Sequence, residues 1–169
     1  MTPQEFAQLM KTNQQLAIGP HGDQAHDLLQ PAKPAYTMTS NKAPTEHEEQ
    51  VALFQWAEGS GIEALELFFH IPNGGHRHPA VGAKLKAQGT KAGVPDLFLA
   101  VPRQVREDGE LVWKHGLFIE LKRAGNEGRL SPSQGDWIAR LREQGYAVAV
   151  CHGCEEAIAA ILEYLGMEA

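Results

Sequence analysis

The sequence predicts an α/β fold in which a mixed central β-sheet is flanked by helices. Two apolar runs, Val94–Val101 and Leu111–Leu121, are separated by a charged segment with an Asp108-Gly109 turn signal, which predicts an antiparallel hairpin. Segments that begin with helix-capping residues lie between the apolar runs, and they predict helices between the strands. The second strand of the hairpin, the helix after it and the next strand form a strand-helix-strand unit, which crosses over right-handed and pairs its strands in parallel.

Length, composition and charge limit the class of protein. A chain of 169 residues, 43% apolar and 21% charged, suits one compact domain with a sizeable core. The net charge of −6 argues against binding nucleic acid through a global basic field, but it allows an acidic metal site with local cations. No stretch is apolar enough to span a membrane and no signal pattern begins the chain, so we expect a cytoplasmic protein without a membrane partner.

The two cysteines, Cys151 and Cys154, form a C-H-G-C motif near the end of the chain. A zinc site needs two further ligands, and the sequence has no second cysteine pair. A redox CxxC motif normally opens a helix near the N-terminus of its fold. We therefore interpret the pair as two small apolar residues at a strand end in a reducing cytosol.

The N-terminal part divides into an arm and a firm helix. Residues 1–16 can form a short helix, and the proline-rich residues 17–44 are typical of an extended arm or linker, so the domain proper is predicted over 45–169. A T-x-x-E capping box at Thr45 and Glu48 starts a helix over Thr45–Glu58. By spacing alone, Glu46 is a first-turn acid that complements the helix dipole, and Glu49 is a solvated acid. The residues expected to face the core are Val51, Leu53 and Phe54, with Trp56 nearby.

The middle of the chain carries a basic stretch. Leu65–Ile71 is predicted to be a strand, Asn73-Gly74-Gly75 a turn, and Pro79–Ala87 a helix. The stretch from residue 76 to 93 contains no acid, and its charged or titratable residues include His76, Arg77, Lys84, Lys86 and Lys91. Such a patch beside carboxylates suits a phosphodiester substrate, whereas the alternative is a solvated helix face.

The C-terminal part predicts a helix, a strand and a closing helix. Ser131 is the N-cap of a helix with Pro132 at its first position, and the helix ends before Gly145. Tyr146–Cys151 is predicted to be a strand and Glu155–Leu165 an amphipathic helix. The predicted inward faces are Trp137, Ile138 and Leu141, and then Ile158, Ile161, Leu162 and Leu165. The predicted order of elements in the domain is thus α-β-β-β-α-β-α, not counting the short helix Pro79–Ala87.

The hairpin brings together groups that can bind a metal. Asp96 lies near the start of one strand, and Glu120 and Lys122 lie near the end of the other, so an antiparallel pairing makes them neighbours. Glu120 and Lys122 are two residues apart and project from one face of their strand. Carboxylates held together favour a hard divalent cation such as Mg²⁺.

These residues and their surroundings resemble a known nuclease family. P-D at 95–96 followed by E-L-K at 120–122 resembles the PD-(D/E)xK nuclease superfamily. The wider pattern, over about residues 45–165, is similar to the VRR-NUC family, the virus-type replication-repair nuclease domain. Its motifs here are E-H-E-E-Q-V-A-L-F-Q-W at 46–56, I-P-N-G-G at 71–75, G-x-K-A-G-V-P-D-L-F-L at 89–99, F-I-E-L-K at 118–122 and L-S-x-x-Q-x-x-W at 130–137.

The resemblance implies a restriction-endonuclease-like core and a metal site. Asp96 and Glu120 would be metal ligands, with the backbone carbonyl of Leu121 as a third. Glu46, four residues before the family's glutamine, would be the helix-borne acid of the site, acting on the metal directly or through a water. Glu49 is the alternative for that role.

The resemblance also assigns the remaining site residues. Lys122 would orient or activate the attacking water and neutralise the scissile phosphate, and Gln134 would contact a water at the metal or the DNA. One or two Mg²⁺ or Mn²⁺ ions are the implied cofactors. The residues expected to contact DNA are His76, Arg77, Lys84, Lys86, Lys91 and Arg123.

The implied activity is hydrolysis of phosphodiester bonds by a structure-selective DNA endonuclease. The expected substrate is branched DNA such as the four-way Holliday junction in replication, repair or recombination, cut by a homodimer in a bacterial or phage-infected host cell. A flap or single-strand nuclease of the same fold is one alternative, and a non-catalytic nucleic-acid-binding module is another. Histidine-based hydrolysis is disfavoured, because the histidines lack the spacing of an HExxH motif.

Overall fold

The computed structural model describes residues 43–72, 79–125 and 129–167. The helix predicted over residues 1–16, nearly all of the arm over 17–44 and the turn at 73–75 lie outside these ranges. His76 and Arg77, two of the predicted DNA contacts, also lie outside the described residues.

The helices lie close to their predicted positions. They are α1 (Glu46–Gly59), α2 (Pro79–Ala87), α3 (Pro132–Glu143) and α4 (Cys154–Leu165). Reciprocal capping boxes begin two of them, Thr45 with Glu48 at α1 and Ser131 with Gln134 at α3. These caps satisfy backbone N–H groups that have no partner within the helix. None of the described helices has the length and hydropathy needed to cross a lipid bilayer.

Four strands form the predicted mixed sheet, and two more form a separate ribbon. The strands are β1 (Phe68–His70), β2 (Leu97–Leu99), β3 (Arg103–Glu107), β4 (Glu110–Lys114), β5 (Leu117–Lys122) and β6 (Ala147–His152). The main sheet has the order β1-β2-β5-β6, antiparallel except for the parallel pair β5–β6. The α/β fold with a mixed central sheet is therefore confirmed, and so is the parallel pairing across α3.

The hairpin is correct in its pairing and wrong in its extent. Its two long predicted strands are interrupted, and the charged segment treated as a connection is itself strand β3, paired with β4 around the Asp108-Gly109 turn. Pro102 has no N–H to donate to a continuing ladder, which favours a break at that point. The ribbon forms because Val105 packs against the core while its neighbours in β3 face solvent. The sequence does not predict this strand, because only one apolar residue, Val105, lies among its polar and charged residues.

The strand predicted over Leu65–Ile71 is also shorter than expected. Glu63–Leu67 is a 3-10 helix, and only Phe68–His70 pairs in the sheet. The apolar residues explain the difference, because Ile62, Leu65 and Phe68 recur with the period of three that places them on one side of a 3-10 turn.

The core lies between the sheet and the helices α1 and α4. Leu53 of α1, Leu97 and Ile119 of the sheet and Ile161 of α4 have no exposed surface. The prediction that Val51 faces the core is wrong, since 43% of its surface is exposed. The stripe that α1 actually buries recurs with helical spacing and consists of Glu49, Ala52, Leu53, Trp56 and Ala57.

The alternation of β5 determines where the polar residues point. Leu117, Ile119 and Leu121 belong to the core, so Glu120 and Lys122 project from the opposite face of the strand. Helix α3 contributes its own buried residues, Ile138 and Leu141, and packs against β6. The sheet face opposite the core therefore carries the charged residues at the end of β5.

Candidate active site

Asp96 lies directly before β2 and is hydrogen-bonded to two backbone groups. Its carboxylate oxygen Oδ2 accepts a hydrogen bond from the N–H of Leu121 at 3.2 Å. Its own carbonyl accepts a bond from the N–H of Ile71 at 2.7 Å. The register that pairs Leu97 with Ile119 brings the residue before β2 beside the end of β5. The antiparallel pairing thus unites Asp96 with the Glu120–Lys122 segment as the sequence predicts.

Glu120 is a carboxylate almost completely removed from solvent, with 1% of its surface exposed. One oxygen, Oε1, accepts hydrogen bonds from Lys122 Nζ at 2.6 Å and from Gln134 Nε2. The other oxygen, Oε2, is buried and has no hydrogen-bond partner among the described residues. An unsatisfied buried carboxylate oxygen is costly, and such groups are normally paired or bound to a metal.

The two carboxylates are held in an environment that disfavours their charge. Burial raises the pKa of Asp96, although the Leu121 N–H and the charges of Lys122 and His70 act in the opposite direction. Burial also raises the pKa of Glu120; the hydrogen bond from Lys122 opposes this, and the negative charges of Asp96 and Glu46 add to it. A cation between these groups would relieve both the desolvation and the mutual repulsion.

Lys122 and the Leu121 backbone complete the end of the strand. Lys122 has 15% of its side chain exposed, and its amine pairs with Glu120. In an extended strand the N–H and the C=O of one residue point to the same side. Because the Leu121 N–H points at Asp96, the Leu121 carbonyl, which is predicted to be a third metal ligand, points to the same edge of the strand.

The two glutamates considered for the helix-borne acid occupy different environments. Glu46 is exposed in the first turn of α1, and its negative charge adds to the effect of burial in raising the pKa of Glu120. Glu49 is 7% exposed and accepts a hydrogen bond from the N–H of Cys154 at 2.9 Å. The interpretation of Glu49 as a solvated acid is wrong, because it lies in the buried stripe of α1 and holds the first turn of α4.

Gln134 connects the start of α3 to the carboxylate. Its Oε1 accepts a hydrogen bond from the Ser131 N–H at 2.9 Å, while its Nε2 donates to Glu120 Oε1. One side chain therefore caps the helix and orients the buried acid. The sequence predicts that Gln134 belongs to the site, whereas only the structure gives Glu120 as its partner.

The predicted basic residues divide into two groups. Lys84, Lys86 and Lys91 are exposed on α2 and the segment after it, as a DNA-contacting patch requires. Arg123 is half-buried, and its Nη2 donates to the carbonyl of Ala43 at 2.8 Å. Arg123 thus ties the end of β5 to the segment that enters α1.

His70 is a neighbour of the site that sequence reasoning did not select. It is the last residue of β1 and is paired with Leu97. Its charge opposes the rise that burial causes in the pKa of Asp96. Its position two residues before Pro72, in the stretch ending in the I-P-N-G-G motif, is the signal that could have identified it.

The cysteines agree with their interpretation as apolar residues. Both are free and buried, and burial raises the pKa of Cys151 to about 12 and that of Cys154 to about 11. They therefore remain protonated thiols near neutral pH.

The donor set fits a hard cation with few protein ligands. Within the described ranges, no group of three or more His, Cys, Asp or Glu side chains is arranged to hold a metal ion. Two carboxylates, one of them with an unpartnered oxygen, and a neighbouring main-chain carbonyl remain available. Mg²⁺ commonly takes one or two carboxylates together with waters and substrate phosphate, so such a set is suitable for it.

Comparisons with known proteins agree with the motifs and the fold. The profile of the VRR-NUC domain matches residues 44–155. A solved structure described as a VRR_NUC domain protein is 29% identical, has a TM-score of 0.60, and is matched over 75% of this chain and 92% of that chain. A search of the curated proteins found no match.

Proposed function

The chain belongs to the VRR-NUC family, a family of nuclease domains, and from this membership we propose that it is a metal-dependent, structure-selective DNA endonuclease. The observation that carries the proposal is the convergence of Asp96, Glu120 and Lys122 at one sheet end, with one Glu120 oxygen buried and unpartnered. A module that only binds nucleic acid has no need for this costly arrangement. Branched DNA, above all the four-way junction, is the proposed substrate.

The acids of the site have separate tasks. Asp96, Glu120 and the Leu121 carbonyl would hold one Mg²⁺ or Mn²⁺, and Glu46 would act on that ion or a second one from the first turn of α1. When bound, the cation supplies Lewis-acid activation of a nucleophile and neutralises charge on the phosphate. Gln134 would keep Glu120 Oε1 occupied, which leaves Oε2 for the cation.

Lys122 serves the phosphodiester itself. Its amine, held by Glu120 on a partly exposed side chain, would hydrogen-bond the attacking water and a non-bridging phosphate oxygen. Water would attack phosphorus in line and give up a proton to solvent, the opposite phosphorus–oxygen bond would break, and the departing oxygen would take up a proton from solvent. Removal of the amine therefore removes a group that aligns the nucleophile and balances the developing negative charge.

The test is cleavage of labelled four-way junction, flap, duplex and single-stranded DNA with Mg²⁺, Mn²⁺ or EDTA. Wild type is compared with Asp96→Ala, Glu120→Ala and Lys122→Ala, and circular dichroism checks that each variant is folded. We expect cleavage that requires a divalent cation and is lost in all three variants. Full activity in any folded variant would contradict the assignment of its residue.

The pattern of products distinguishes the substrate classes. Paired symmetric incisions in the junction would support a homodimer, because a two-fold assembly can present two sites to a two-fold substrate. Light scattering of the protein alone then measures the oligomeric state. Cleavage of flaps or single strands only would retain the nuclease and reject the junction, whereas no cation-dependent cleavage at all would favour a binding module.

A further inference from the structure

Gly93 makes a backbone contact that no other residue type could make without displacement. It has a positive φ of 86°, and a Cβ atom placed on it would lie 2.6 Å from both the carbonyl carbon and the carbonyl oxygen of Ser133. Cβ atoms do not approach other atoms this closely, and the atoms in the way are backbone. A side chain at Gly93 therefore requires either its own loop or the first turn of α3 to move.

The two segments that meet at this contact lead to the two carboxylates, one along the chain to Asp96 and the other through a hydrogen bond to Glu120. Gly93 precedes Asp96 by three residues, and Asp96 is bonded to the Leu121 N–H. Ser133 precedes Gln134, which donates to Glu120 Oε1. The capping box between Ser131 and Gln134 makes the first turn of α3 a unit, so moving Ser133 also moves Gln134.

We propose that Gly93 is a positioning residue, which lets the first turn of α3 come close enough for the Gln134 amide to hold Glu120. The role is separate from metal binding and catalysis, since Gly93 offers no side chain. A displacement of about 1 Å at Gln134 is enough to break a hydrogen bond, because such bonds weaken steeply outside their normal distance range. Only the consequence for cleavage rests on the proposed function.

The chain supplies a matched control. Gly89 also has a positive φ, 97°, but a Cβ atom there meets nothing within 4 Å. Gly93→Ala and Gly89→Ala therefore impose a similar strain on the backbone. They differ in the collision with Ser133, so the difference between the two variants measures that contact.

The first experiment observes the side-chain amide of Gln134 by two-dimensional ¹⁵N NMR of the full chain. Its signal is assigned by its loss in Gln134→Ala. We expect Gly93→Ala to shift the signal toward that of a solvated amide and Gly89→Ala to leave it in place. An unshifted signal in folded Gly93→Ala, or the same shift in both variants, would overturn the proposal. If Gly93→Ala does not fold, nuclear Overhauser effects in wild type between the Gly93 α-hydrogens and Ser133 decide, and their absence would overturn it.

The second experiment asks whether Gly93 and Gln134 act through one contact. We expect Gly93→Ala to lower the cleavage rate about tenfold relative to Gly89→Ala, the amount that breaking one hydrogen bond can cause. Adding Gln134→Ala should then reduce the rate little further, because coupled residues are not additive. Additive effects would contradict the shared contact. If wild type cleaves no DNA, the proposed function fails, while the NMR result still decides whether Gly93 positions Gln134.

Discussion

At the scale of single residues, Glu120 combines burial, repulsion and an unpartnered oxygen. Burial raises its pKa, so the folded protein binds the proton more tightly than the unfolded chain does. The ionised carboxylate therefore lowers the free energy of unfolding, and protonation restores that stability as the pH falls through the folded pKa. A group that destabilises the fold in this way is typical of a functional site.

This gives a prediction for the cation-free and cation-bound states. Without metal, Glu120→Gln should unfold at the same temperature as wild type or higher, because the raised pKa of Glu120 indicates that burial and the charges of Asp96 and Glu46 outweigh its bond from Lys122. With Mn²⁺ at about 100 times its dissociation constant, wild type should gain about 2.7 kcal/mol, whereas the variant should gain almost nothing. Thermal unfolding monitored by circular dichroism, with EDTA or Mn²⁺, measures both effects.

The matched control is Glu110→Gln, which alters an exposed glutamate of the ribbon. Its unfolding temperature should respond to Mn²⁺ as that of wild type does. If Glu120→Gln retains the full shift, the cation does not bind through Glu120, and the role of its unpartnered oxygen must be given up.

At the scale of elements, a buried hydrogen bond joins two helices that are far apart in sequence. Glu49 of α1 accepts the backbone N–H of Cys154 at the beginning of α4, which lacks a side-chain cap of its own. A carboxylate at a helix N-terminus satisfies an N–H group and complements the helix dipole. The same bond fixes the helix whose first turn carries Glu46.

Glu49→Ala should therefore lower the free energy of unfolding by about 1–3 kcal/mol, because it leaves a buried N–H without a partner. Glu49→Gln keeps an oxygen acceptor and should be destabilised less. Chemical denaturation monitored by fluorescence measures both variants beside Glu58→Ala, an exposed position of the same helix. An equal effect of Glu49→Ala and Glu58→Ala would mean that the bond contributes nothing to stability.

At the scale of the whole molecule, the charge distribution matters more than the net charge. The chain carries −6 overall, yet Lys84, Lys86 and Lys91 are exposed in a stretch without acids that leads to Asp96. The ribbon of β3 and β4 continues from the opposite ends of β2 and β5. We therefore predict that DNA bound at the carboxylates contacts these lysines and not the cations of the ribbon.

The combined variant Lys84→Gln with Lys86→Gln should bind junction DNA more weakly and with a smaller dependence on salt. The slope of log K against log salt concentration should fall by about one for each lysine–phosphate ion pair that the substitutions remove. Fluorescence anisotropy over a range of KCl concentrations, with EDTA to prevent cleavage, measures the slope. Arg106→Gln, an exposed cation of β3, is the control and should leave the slope unchanged. An unchanged slope in the lysine variant would separate these lysines from DNA.

The sequence by itself determined the features that local patterns encode. Alternation along β5 places Glu120 and Lys122 on the face opposite the core, and the capping residues of α1 and α3 fix where those helices begin. The turn signal at Asp108-Gly109 predicts an antiparallel hairpin, and the structure has its turn there, between β3 and β4. Each of these results depends on residues that are close in sequence or on a fixed structural period.

Only the tertiary structure decided which distant groups meet. The sequence predicts that Glu49 is a solvated acid, whereas in the structure it accepts the N–H of Cys154 in α4. The sequence likewise predicts a charged connection where β3 forms, because the packing of Val105 against the core depends on the tertiary structure. The contact of Gly93 with Ser133 and the bond from Gln134 to Glu120 likewise join separate segments. The physical reason is that a buried polar group or a close backbone approach is defined by its partner, and the partner's position depends on the packing of the whole chain.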